Sequence, residues 1–190
     1  MPEEKLVRPS WGRLTREARN ELWDDLAEKH GSNINILRKF GDRALKAMHE
    51  HGLDAVHAID QHGAPAVEAI SLYGGNAARI MRWHGGRALE VINKLPLTQR
   101  GTAFQLVSKY DKIGTGSHVL NAIDLHGKRA IDGFEVGGRL FYEAFKRHPQ
   151  EAGELVARAR ETEMKGLLRE LNKRGPLVSQ ALKQRQQRSA

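Results

Sequence analysis

Glycine recurs every eleven residues through most of this chain, and that period constrains the fold more than any other feature. Residues 51 to 94 divide into HGLDAVHAIDQ, HGAPAVEAISL, YGGNAARIMRW and HGGRALEVINK, with FGDRALKAMHE before them from residue 40. TGSHVLNAIDL, HGKRAIDGFEV, GGRLFYEAFKR and HPQEAGELVAR carry the register from 115 to 158, and HGSNINILRK at 30 to 39 reads as a unit one residue short. An internal repeat in so short a chain decides the fold class. Position two is Gly in every full unit but the last, where Pro149 stands. Position five is Ala with Val119 and Phe141 as exceptions, position eight is often Ala, and position nine is apolar in every unit from Met48 to Val156.

Two structures share this period. One unbroken helix would supercoil right-handedly, because eleven residues make three turns at about 3.67 per turn. Glycine opposes it, since each Gly inside a helix costs about 1 kcal/mol relative to Ala. Pro65 opposes it further: its ring would strike the carbonyl of Gln61, whereas Pro in the first turn of a new helix is favourable. The sequence therefore predicts an all-α chain in which each Gly is a left-handed residue ending one helix of about two turns. Isolated helices below about 12 residues are marginal in water, so these must bury positions five, eight and nine against one another. The expected architecture is an α-solenoid-like stack of short helices.

The expected organisation is one domain over residues 1–175. Residues 1–29 form an N-terminal cap, with Ala18, Leu22, Trp23 and Leu26 facing inward from the helix that begins near Thr15. Repeat blocks at 30–94 and 115–158 flank a phase break at 95–114, where residues 84 and 115 are two short of register and a longer helix is expected from Thr98 to Tyr110. A capping helix at 159–175 closes at Gly175–Pro176, with Met164, Leu167, Leu168 and Leu171 at helical spacing, and residues 176–190 form a basic tail.

No Cys is present, which removes disulfides, thiolate metal sites and Cys nucleophiles. No apolar run reaches the length of a membrane span, and the first residues lack the apolar region of a signal peptide, so a soluble, cytoplasmic protein is expected. The formal charge of +8 points to an anionic partner. That charge is uneven: residues 40–99 carry six basic and six acidic side chains, whereas residues 149–190 carry nine and five.

Five of the nine His occupy position one: His51, His62, His84, His126 and His148. A titrating or metal-binding ladder is one reading. The favoured one places each imidazole at the end of its helix, bonded to the last carbonyls, because Phe40 and Tyr73 fill the same place. His49 and His51 form an H-x-H pair, but no carboxylate completes a zinc or iron site, and no metal or cofactor is expected. The chain has no nucleophile elbow, HExxH or phosphate-cradling loop, and no catalytic residue is assigned. The candidate binding residues are Arg79, Arg82, Trp83, Arg87 and Arg100, beside which Glu90 is the only nearby acid in sequence. Lys173, Arg174, Lys183, Arg185 and Arg188 form a second, C-terminal group, either a solvated helix or an electrostatic contact.

The units HGLDAVHAIDQ and YGGNAARIMRW resemble the tandem [YH]-G-x-x-A-[VL]-x-x-[IL] short-helix repeats of large uncharacterised bacterial proteins, some of them toxin- or secretion-associated. The resemblance covers about residues 30 to 158 and implies an all-helical scaffold with no catalytic residues to carry over. The function expected is a non-enzymatic scaffold or adaptor that binds another protein. The alternatives are a nucleic-acid-binding protein using the basic C-terminal half, and a small helical enzyme or toxin-associated protein.

Overall fold

The computed structural model describes residues 11 to 178 and residue 181, and within them every regular element is helical. A 3₁₀ turn at Trp11–Arg13 leads into α1 (Arg16–His30), which starts where Thr15 Oγ1 accepts a hydrogen bond from the Ala18 N–H at 3.2 Å. Trp23 and Leu26 are buried on α1, while Ala18 and Leu22 are half-buried. The shortened unit is a 3₁₀ helix, Ser32–Phe40, whose tighter winding suits one residue fewer. Then come α2 (Gly41–His62), α3 (Ala64–Tyr73), α4 (Gly75–Asn93), α5 (Leu97–Asp111), α6 (Gly116–His126), α7 (Lys128–Gly137), α8 (Arg139–Arg147), α9 (Pro149–Arg158) and α10 (Glu161–Arg174). The expected long helix over the phase break is α5, a residue longer at each end.

The glycines break the helices by a route the sequence reading only half anticipates. Seven position-two glycines have φ between +52° and +71°, but ψ lies between −123° and −162°. That is not the left-handed helical cap, whose ψ is about +47°. Gly63 shows what the geometry achieves: its N–H donates to the Ile59 carbonyl at 2.8 Å, and its own carbonyl accepts from Ala66 and Val67 at 3.1 and 3.2 Å. One residue thus ends one helix and starts the next, so ten-residue helices of nearly three turns follow one another without a loop. Pro65 falls in the first turn of α3. Gly116 is the exception to the expected pattern. The positive φ lies at Gly114 instead, and Gly116 stands helical against the side chain of Asp111.

The chain divides into two compact units, one ending at Gly85 and the other beginning at Gly86. In every full unit of the register position five is wholly buried, and positions eight and nine are buried with it. In the first unit α1, the 3₁₀ helix, α2 and α3 pack around Ala44, Ala55, Met48, Ile59 and Ile70. In the second, each helix from α5 packs on the next and on the next but one, with α5 on α7, α6 on α8, α7 on α9 and α8 on α10. The core there is aromatic: Phe134 lies edge-on to Tyr110 and to Phe141, with centroids 5.0 and 4.9 Å apart. Leu168 and Leu171 are buried from α10, and Leu167 is half-buried.

Burial pushes the Tyr110 phenol above its ordinary value of about 10. The folded state therefore holds that proton more tightly than the unfolded chain. Its contribution is complete below pH of about 10 and is lost as pH rises through the elevated value. In a phenolate-absorbance titration, Tyr110→Phe should remove a component that titrates above the ordinary phenol range and weaken the accompanying alkaline loss of helicity; an unchanged titration curve would contradict this.

Candidate functional site

The ring at position one does not cap its own helix. In the first unit it reaches two repeats along the chain: a methyl group on Gly63 would lie 3.2 Å from Cζ of Phe40, and one on Gly75 would lie 3.1 Å from Nδ1 of His51. The His62 ring faces Gly85 in the same way, with its Nε2 buried and without a hydrogen-bond partner among the described residues. In the second unit the His126 Nε2–H donates to the Pro149 carbonyl at 2.6 Å, and the ring covers Gly153. Phe40, His51, His62 and His126 each therefore sit on the next-but-one junction. The expectation that the ring bonds the carbonyls of its own helix is corrected, because these rings are turned to a junction two repeats on. The H-x-H pair is divided too, with His49 edge-on to Trp11 at 5.6 Å and His51 on Gly75. Among the described residues no three His, Asp or Glu side chains converge as metal ligands would.

The same next-but-one relation organises the polar surface of the first unit. Arg82 donates to Asp54 at 2.7 Å, and Arg79 lies 3.7 Å from the other Asp54 oxygen. Asp54, 28 residues before Arg82, is the acid that sequence proximity does not show. Arg82 also lies over the Trp83 ring, 5.2 Å from its centroid. Trp83 is 66% exposed, so it is a surface residue and not packing between repeats. In the second unit Arg87 bonds the Asn121 carbonyl oxygen of its side chain. Lys94 meets Asp124 at 2.8 Å, a hydrogen-bonded ion pair that raises the Lys94 pKa above its ordinary value. Arg100 donates to the Asn93 and Leu95 carbonyls and to Asn93 Oδ1, closing the turn between α4 and α5. The candidate cations around Trp83 thus fall in two units, Arg79 and Arg82 in the first and Arg87 and Arg100 in the second, and each has a partner within its own unit.

Where Asp54 and Arg82 close one layer of the first unit, the layer before it is open. Arg43 holds the register position of Asp54, and Glu68 that of Arg79, yet between them lies a groove of about 600 Å³. Arg43, Lys46, Glu50 and His51 line it from α2, and Glu68, Ser71 and Leu72 from α3. Ala47 and Ile70, both buried, form its apolar base. Leu72 is 63% exposed at the rim, at the register position that Trp83 holds one repeat later. The volume is that of a site for a small molecule or a few residues of peptide. Apart from His51 and the repeat positions Ala47 and Ile70, none of these groove residues stands out in the sequence, because the opening lies between two repeats.

The C-terminal group resolves into two kinds of residue. Arg174 is paired with Glu170 at 2.9 Å. Lys173 is exposed on α10, in line with Lys165 and Arg169 at four-residue intervals. Lys165 and Arg169 were legible at that spacing, opposite buried Met164, Leu168 and Leu171. Lys183, Arg185 and Arg188 lie outside the described residues. No helix among the described residues is long and apolar enough to cross a membrane. Comparison of the chain with models of protein families, with curated proteins and with solved structures returns no match.

Proposed function

We propose that the protein is a non-enzymatic, α-solenoid-like scaffold whose first unit binds a segment of a partner protein. The observation that carries this reading is the mixed-charge groove bordered by exposed Leu72, with exposed Trp83 at the equivalent position of the next repeat. Large apolar side chains beside a concave, charged surface supply what protein interfaces use: anchors that desolvate and ion pairs that fix orientation. Arg43 and Lys46 suit an acidic side chain of the partner, while Glu50 and Glu68 suit a basic one, so the fitting segment carries both signs around an apolar residue.

A pull-down from the native source, with nuclease treatment on one arm, tests the reading. The partner should survive nuclease, and Leu72→Asp or Arg43→Glu should weaken its binding at least tenfold with unchanged helicity, as expected for residues at the centre of an interface. Loss of all captured protein after nuclease, or capture by both variants equal to the parent's, would refute it.

A further inference from the structure

Net charge separates cleanly between the two units. Residues 11 to 85 carry ten basic and ten acidic side chains, and residues 86 to 178 carry sixteen and eleven. Many basic side chains of the second unit are consumed internally: Arg87 and Arg100 by polar groups, and Lys94, Lys128 and Arg174 by carboxylates. Lys165, Arg169 and Lys173 are not. All three are exposed, none forms an ion pair among the described residues, and their spacing places them along one face of α10 over about 12 Å. Glu161, one turn before Lys165, is an exposed acid in the first helical turn and leaves Lys165 unpaired.

We infer that this face of α10 binds the sugar-phosphate backbone of duplex nucleic acid, without reading its sequence. Three features of the surface select that occupant. A duplex offers one negative charge per about 1.7 Å of axis, so a row of three cations about 6 Å apart always finds phosphates to neutralise. The face between the cations holds Thr162 and Gly166, with no large apolar side chain, and the apolar face of α10 is already spent on the core through Met164, Leu168 and Leu171. An interfacial helix on a membrane would need that apolar face, and a protein partner would need an anchor among the cations, whereas the exposed Leu177 lies beyond the end of α10. In the second unit Phe104, Tyr110, Phe134, Phe141 and Phe145 are buried and Tyr142 is half-buried against Tyr110 and His118, so none of them is an open stacking platform for single-stranded bases. The inference stands apart from the groove on the first unit: the neutral half would hold a protein while the basic half holds a polyanion.

The test is the salt dependence of full-length protein binding to a random-sequence DNA duplex. Each phosphate contact contributes about −0.9 to the slope of log K against log[salt]. Lys165→Gln, Arg169→Gln and Lys173→Gln together should lower the magnitude of that slope by about 2 to 3 and weaken binding at least tenfold at 0.1 M salt. Lys109→Gln, Lys112→Gln and Lys146→Gln together, which remove the same charge from other exposed positions of the second unit, should change affinity far less. Lys165→Arg with Lys173→Arg should retain binding, and helicity should be unchanged in all variants. Equal losses from the two triple variants would reduce the effect to net charge and overturn the inference. So would an unaltered slope in the α10 variant, no retention of duplex by the parent protein at 50 mM salt, or preference for anionic phospholipid vesicles over DNA.

Discussion

Gly52→Ala should destabilise the protein by about 1 to 3 kcal/mol, whereas Gly86→Ala should stabilise it by about 0.5 to 1 kcal/mol. Neither position has another atom within 4 Å of where the methyl group would lie, so the opposite signs come from the backbone alone. Gly52 has φ 57° and ψ −140°, a conformation that L-residues rarely adopt. Gly86 is helical, and there Ala only removes freedom from the unfolded chain. Gly63→Ala should cost more than Gly52→Ala, because its methyl group also meets Phe40 at 3.2 and 3.3 Å. For a chain of this size each kcal/mol moves the melting temperature by about 2 to 4 °C, so calorimetry separates the variants. D-Ala at position 52, introduced by ligation, should match or exceed the parent, since its preferred backbone is the mirror image of the L-residue's. A destabilising D-Ala would show that space, not chirality, selects glycine there.

Phe141→Ala should cost about 3 to 5 kcal/mol, the largest single loss expected in the second unit. Phe141 is fully buried at position five, where most repeats place Ala, and its ring is within contact of both Phe134 and Phe145. Gly133 makes room for it: a methyl group there would lie 2.6 Å from two Phe141 ring carbons. Gly133→Ala in the parent should therefore destabilise by about 1 to 3 kcal/mol through overpacking. In the Phe141→Ala background the same change should be stabilising, because it refills part of the cavity and restores the small pair that other repeats use. Denaturant unfolding of the four proteins measures the cycle. Additive effects would mean that the two residues do not share that space.

How far the sequence reveals this molecule follows from the range of each interaction. Positions five, eight and nine were legible because burial repeats with the helical turn, and Ala44, Met48 and their counterparts are all inside. The sign of φ at the junctions was legible because only glycine recurs there; ψ was not, since nothing in a single residue type distinguishes a cap that stops a helix from a pivot that restarts one. The partners of position one were hidden. His126 meets Pro149 across 23 residues, a relation set by how consecutive helices fold back. The pairing of Arg82 with Asp54 was hidden for the same reason, and so was the groove that opens where Arg43 and Glu68 fail to close. The row on α10 needed only its four-residue spacing to be noticed.

In the first unit the seating of Phe40, His51 and His62 on the next-but-one junction adds a tie between alternate repeats to the packing of each repeat on the next. Charges follow the same alternation, with a base at 43 facing an acid at 68 and an acid at 54 facing bases at 79 and 82. Excising eleven residues from this unit would keep every helix face inward yet change the partner of each of these groups, setting Arg43 opposite Arg79. Excising twenty-two would restore the alternation of the repeats that remain. Growth or shrinkage of such a molecule is therefore tolerated in pairs of repeats.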